Sequence, residues 1–306
     1  MDKRVTNMAQ SPTHKFGQII GELLEAAIEP LLADFAKRHG LYLDKKGPRP
    51  ARGTQKKVSW TDLYGNTHDL DFVLERGGTK DKFGTPVAFI ESAWRRYTKH
   101  SRNKAQEIQG AILPLVQTHH LAAPFTGVIL AGDFTDGSLT QLQSLGFKIL
   151  YFPYDMVVEA FKAVGIDASF DENTSDEEVL KKVRAWEALP KSAHKEVCKV
   201  LFEKNKDEVQ QFMYNLERFA TRYIELVHIL PLHGEAVECE SVEQAVQFIQ
   251  KYDKSGSSAP IVKYEIRIRY NNGDKIEAQF ESKESAIQFL RSYQQPTLRP
   301  SHCSEN

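Results

Sequence analysis

Apolar residues recur at helical spacing through residues 16–38, FGQIIGELLEAAIEPLLADFAKR, where Ile19, Leu23, Leu24, Ala27, Leu31 and Phe35 share one face. Gly40 follows as a stop, and LYLD is a short strand candidate. The basic Pro/Gly segment KKGPRPARGTQKK reads as a loop, and VSWTDLYGNTHDLDFVLE as two strands around a YGN turn. GTPVAFIES is a further strand. A helix is predicted from Ser101 to about His119, with Ile108, Ala111, Ile112, Leu115 and Val116 on its apolar face. FTGVILAG carries no charge, which suits a central strand. SLTQLQSLG is a short helix ended by Gly146, FKILYF a strand and YDMVVEAFKAVG a helix. The predicted order, α-β-β-β-α-β-α-β-α, belongs to an α/β domain around a mixed sheet.

After the acidic segment DENTSDEE the pattern turns helical to about Arg222, with Trp186, Val197, Leu201, Phe212 and Leu216 as expected core. The tail holds an internal repeat: ESVEQAVQFIQKY at 240–252 matches ESKESAIQFLRSY at 281–293 with seven identities in thirteen positions. A hairpin pattern precedes each copy, YIELVHI with EAVEC and then YEIRIRY-NNG-DKIEAQF, and each copy places a Ser to cap its helix. Two ββα units sharing one four-stranded sheet are predicted, since one unit alone has too little core. The expected divisions are 1–168, a helical linker at 169–222, and 223–306.

Composition changes this picture little. At 306 residues, 41% hydrophobic and 26% charged, the chain reads as globular. No apolar run approaches a membrane span, and the polar start MDKRVTNMAQSPTHK lacks the apolar segment of a signal peptide. Three widely spaced cysteines, Cys198, Cys239 and Cys303, argue for a reducing cytoplasm and against a disulfide framework or zinc site. Charge is more informative. Residues 1–120 hold 19 Lys and Arg against 13 Asp and Glu, whereas the remainder holds 21 against 28.

The basic half also interrupts its apolar strand runs with carboxylates: Asp69 and Asp71 in HDLDFVLE, and Glu91 at the end of VAFIES. Uncompensated buried carboxylates are costly. Two of them at neighbouring strand ends can hold Mg²⁺, which prefers hard oxygen ligands. Asp69 shares a strand face with Asp71. It is a further candidate ligand, or a plain strand-edge polar group. Arg95, Arg96, Lys99 and Arg102 follow, with Trp94 and Tyr97 interleaved, and suit phosphate contacts. The loop cations Lys45, Lys46, Arg49, Arg52, Lys56 and Lys57 read either as an arm for a DNA groove or as a solvated loop. No Walker loop, dinucleotide fingerprint, zinc spacing or GxSxG elbow occurs, so no nucleotide cofactor is expected.

An acid on one core strand, a second acid on the next and then a helix, in this order of elements, resembles the PD-(D/E)XK nuclease superfamily over about residues 16–165. The residues carrying the resemblance are Asp71 in DLDFVLE and Glu91 in VAFIES. It implies a restriction-endonuclease-like mixed sheet flanked by helices, here followed by the helical segment and a small α+β domain of two ββα repeats. It also implies Asp71 and Glu91 as catalytic metal ligands, with Glu22 matching an extra acidic ligand of some members. The family lysine, two residues after the second acid, falls on Ala93. Some members supply it from the following helix, which nominates Lys104 here, or Lys99.

The resulting expectation is a cytoplasmic, Mg²⁺-dependent endonuclease for double-stranded DNA, with Mn²⁺ able to substitute. It would act as a homodimer in a restriction or related defence role. Asp71, Glu91 and Lys104 would be catalytic, Asp69 and Glu22 accessory metal ligands, and Arg95, Arg96, Lys99, Arg102, Lys56 and Lys57 DNA contacts. The alternatives are a catalytically inactive nuclease-fold module that binds DNA or protein, and a nuclease subunit of a larger complex.

Overall fold

The computed structural model describes residues 11–231, 237–252 and 263–294. Cys303, residues 1–10 and the first two residues of EAVEC lie outside them. The chain divides after Ala220 into two compact units.

In the first unit the elements run α1 (Pro12–Arg38), β1 (Leu41–Lys45), β2 (Val58–Thr61), β3 (Thr67–Leu70), β4 (Phe72–Arg76), β5 (Thr85–Arg95), α2 (Ser101–Thr118), β6 (Phe125–Gly132), α3 (Asp136–Ser144), β7 (Lys148–Pro153), α4 (Tyr154–Lys162), α5 (Asp176–Glu187), α6 (Lys191–Lys204) and α7 (Lys206–Ala220). The Ser11 hydroxyl accepts from the His14 amide to cap α1, Pro12 occupies its first turn, and Gly40 leaves it at φ +62°. Five strands form a sheet in the order β1-β4-β5-β6-β7. Pairing is antiparallel from β1 to β5 and parallel from β5 to β7.

Strand alternation divides the sheet residues between two cores. Phe72, Leu74, Ala88, Ile90, Trp94, Ile129 and Ala131 share a core with α1 and α4–α7. Val73, Phe89, Ala93, Val128 and Leu130 share the other with α2, α3 and the β2–β3 hairpin. The sheet is therefore covered on both faces, which is why its inner strands read as almost unbroken apolar runs.

Three expectations change. Residues 58–76 form three strands instead of two, because the hairpin β2–β3 is separate from the main sheet and the chain bends at Asp71 before β4. Glu91 does not end its strand. β5 continues to Arg95, pairing Glu91 to Arg95 with Val128 to Gly132, so the basic stretch begins as strand. Residues 169–222 are not a linker between domains. Trp186, Val197, Leu201, Phe212 and Leu216 are buried in the first unit's core, and Phe125 packs edge-on to Phe212 with ring centroids 5.4 Å apart.

The second unit contains β8 (Ile224–Pro231), β9 (Val237–Cys239), α8 (Val242–Lys251), β10 (Tyr264–Tyr270), β11 (Lys275–Phe280) and α9 (Lys283–Ser292). Its sheet has the order β11-β10-β8-β9 and is antiparallel throughout. Ser241 and Ser282 cap the two helices. Tyr264, Ile266, Ile268 and Tyr270 point into the core, while Arg267 and Arg269 point out. Among the described residues no helix is long and apolar enough to cross a membrane.

Candidate functional site

The bend at Asp71 has a visible cause. Its carboxylate accepts from the Ser92 amide at 2.6 Å and from the Ser92 hydroxyl at 2.8 Å, which ties the entry of β4 to the middle of β5. The residue beside the second acid thus fixes the first acid. Glu91 lies one position earlier on β5, on the face that α2 covers. Lys104 comes from the first turns of α2, and its Nζ stands 3.6 Å from Glu91 Oε1 and 3.5 Å from Glu107. Glu91 Oε2 is buried with no hydrogen-bond partner. Burial, then the negative charge of Asp71, pushes the Glu91 carboxyl up to about 8, and Lys104 opposes this only in part.

A third acid borders the same space. Burial, then Asp71, raises the carboxyl of Glu25 on α1 to about 7, with Lys46 pulling it down. Glu25, Asp71 and Glu91, with Lys46, Lys57 and Asp69 around them, line a cleft of about 200 Å³. Two carboxyls pushed towards neutrality thus line the cleft beside a third, and one of them has an orphaned buried oxygen. Among the described residues, no three His, Cys, Asp or Glu side chains draw together into a ready-made metal cluster. Mg²⁺ does not require one, since it commonly keeps several waters and uses one or two carboxylates. Asp71 and Glu91 are the carboxylates in the cleft that could hold such an ion.

The other nominated residues go to several places. Glu22 is exposed and accepts from Gln18 at 2.9 Å, so it does not line the cleft; Glu25, three residues on, does. Asp69 stands on the rim, where Lys57 at 2.7 Å and the Ser59 hydroxyl at 2.6 Å already use its oxygens. Ala93 is packed into the core beneath α2. A lysine there would point into the layer that α2 occupies, and Lys104 enters that layer from the helix. Lys99 pairs with Glu172 at 2.6 Å and does not join Lys104.

The nominated DNA contacts separate in the same way. Arg96 is engaged internally: it reaches Asp133 at 2.5 Å, donates to the Phe170 carbonyl at 2.6 Å and lies 3.8 Å over the Tyr154 ring. Arg95 lies 3.5 Å from Glu107. Arg102 and Lys56 are exposed, and Lys57 lines the cleft. Arg49 and Arg52, which also belong to the proposed groove arm, are buried. They face inward because Asp44 and Glu75 are buried beneath the loop and require cations: Arg49 meets them at 2.7 and 2.5 Å.

No protein-family description matches the chain, and no curated protein matches it. Among solved structures it is similar to a crystal structure of a protein of unknown function, AF1548. The identity is 13%, the match covers 64% of this chain and 98% of that one, and the TM-score is 0.29. A superposition that loose carries no argument about fold or chemistry.

Sequence reading misses Glu25, and it names Lys46 only as one of the loop cations. A signal for Glu25 exists: Glu22, Glu25 and Glu29 are spaced three and four apart, so one helix face carries all three. Which of them meets the cleft depends on the rotation of α1 against the sheet. Lys46 sits in a loop whose course is set by Arg52, bonded to carbonyls within it, and by Arg49, bonded to Glu75 on β4.

Proposed function

We propose that the first unit is a Mg²⁺-dependent DNA endonuclease with a restriction-endonuclease-like core of the PD-(D/E)XK type, and that Mn²⁺ can substitute. The observation that carries this reading is the cleft: Asp71 held by Ser92, Glu91 with an orphaned oxygen beside Lys104, and Glu25 close by. A bound Mg²⁺ would supply a water of lowered pKa and offset the charge that builds on the phosphoryl oxygens. Asp71 and Glu91 would hold the ion. Lys104, fixed between Glu91 and Glu107, orients the attacking water by a hydrogen bond and shields the phosphate. Water adds across the phosphodiester, one P–O bond forming as the other breaks, and the leaving oxygen takes up a proton.

Strand-strand-helix order, twice over, supports reading the second unit as tandem ββα repeats. Own-chain acids surround the cations of its open face. Arg267 lies 2.7 Å from Glu265 and 3.5 Å from Glu277, and Arg269 lies 3.1 Å from Glu225. That favours contact with protein, including a second copy of the chain, over contact with phosphate. A cytoplasmic restriction or defence role is the setting by analogy.

One observation favours a second reading. No tight acidic triad is present among the described residues, as suits a nuclease-fold module that binds without cutting. Incubation with mixed plasmid and phage DNAs separates the two. Breakage that needs Mg²⁺ and stops with EDTA is expected, and intact DNA in both arms would reject the endonuclease.

A further inference from the structure

The segment Lys45–Lys57 contains six basic residues and no acidic one. Two of the six, Arg49 and Arg52, are turned inward and hold the segment in shape. The Arg52 guanidinium donates to the carbonyls of Lys45 at 3.0 Å and Gly47 at 2.9 Å near one end of the loop, and to the Lys57 carbonyl at the other. The Gly47 amide crosses to the Lys56 carbonyl at 2.8 Å. The loop is thus closed around one planar cation, as a compact Ω-loop. Arg49 fastens it downward, bonding Glu75, the Thr79 carbonyl at 2.8 Å and the Lys82 carbonyl at 2.8 Å. The single helical turn Pro50–Arg52, opened by a proline, and these bonds leave little freedom for the backbone.

Lys46, Lys56 and Lys57 project outward from this frame. Lys46 and Lys57 border the acid-floored cleft from the loop side. Lys57 is paired only with the exposed Asp69, a contact of small worth that a phosphate oxygen can displace. A rigid loop that carries exposed cations over carboxylates recognises a polyanion whose charge repeats along its length.

We propose that Lys45–Lys57 is a preformed rail for the phosphodiester backbone, on which Lys46 and Lys57 hold the phosphates that flank the one in the cleft and Arg52 acts as the positioning residue. This rests on the nuclease reading and names the substrate contacts of that site.

The experiment measures the affinity of the full chain for a fluorescent duplex in EDTA, by anisotropy, across a salt series. In Lys46→Ala/Lys57→Ala, binding should weaken about tenfold or more, and the log–log salt slope should fall by about two, since each lost phosphate contact removes about 0.9. The exposed pair Lys195→Ala/Lys206→Ala removes the same charge and should bind as wild type. Arg52→Lys keeps the charge but cannot span three carbonyls, and should lose affinity by a similar factor. If Arg52→Lys fails to fold, the surface pair still decides. Wild-type affinity and slope in Lys46→Ala/Lys57→Ala would overturn the rail, as would an equal loss in the control pair. A wild-type chain that binds the duplex but never cuts with Mg²⁺ would instead remove the nuclease reading and leave the rail standing.

Discussion

Glu91→Gln keeps the shape of the side chain and deletes its titration, so it isolates the cost of burying a charged carboxylate there, beside Asp71. The native carboxyl titrates near 8, against an ordinary 4.5, because burial and Asp71 disfavour its charged form. Between those values the native state binds more protons than the unfolded state, so stability falls as pH rises through that window; the loss is complete above about 8. At about 1.4 kcal/mol per pH unit the ceiling is between about 4 and 5 kcal/mol. The variant also leaves Lys104 with one acid fewer, an opposing cost for a half-buried cation of about 1–2 kcal/mol. The metal-free variant should therefore be close to wild type at pH 5.5 and more stable by roughly 2–3 kcal/mol at pH 8.5. In thermal melts this is a gap that opens by roughly 5–10 °C, at about 2–4 °C per kcal/mol for a domain of this size. Adding millimolar Mg²⁺ at pH 8.5 should raise the wild-type midpoint and leave the variant unmoved. Melting midpoints that stay parallel from pH 5.5 to 8.5 would refute the strained acid pair.

Lys104→Ala should lower cleavage by about a hundredfold or more, as loss of a water-orienting donor does, whereas Lys99→Ala, which loses only an exposed pair with Glu172, should cut normally; the reverse ranking in a plasmid assay would misplace the lysine. Arg49→Ala strands Glu75 as a buried acid without a cation and leaves Asp44 to Arg52 alone, 3.2 Å away. It should cost about 3–5 kcal/mol in chemical denaturation, and a loss below about 1 kcal/mol would show that these acids are not held by Arg49. Arg267→Ala/Arg269→Ala should leave the salt slope of DNA binding unchanged and weaken self-association in sedimentation; a shallower slope would assign that face to phosphate.

The apolar runs VAFI and FTGVILAG are readable as inner strands because both sheet faces bury them, and no partner needs to be known for that. The acids are readable for the same reason, since Asp71 and Glu91 break runs that otherwise continue. Lys104 is readable as a neighbour of Glu91 because a helix that follows a strand at once must fold back over it. Three features are not readable. β5 runs past Glu91 because Ala93 and Trp94 are buried on opposite faces and pair with β6, while ESAWRR alone looks like the start of a basic helix. Glu25 replaces Glu22 because side-chain packing sets the rotation of α1 more finely than its apolar stripe does. Arg49 and Arg52 look solvated among Pro, Gly and Lys, and it takes the buried Asp44, the remote Glu75 and the loop's own carbonyls to turn them inward.

The endonuclease account stands most directly on a paired assay of Asp71→Asn and Glu91→Gln, with cleavage of supercoiled plasmid in Mg²⁺ and duplex binding in EDTA measured on the same preparations. The account predicts that both variants lose cleavage and keep wild-type affinity within a few fold, since the cations that meet phosphate are untouched. Full cleavage by either variant would contradict it.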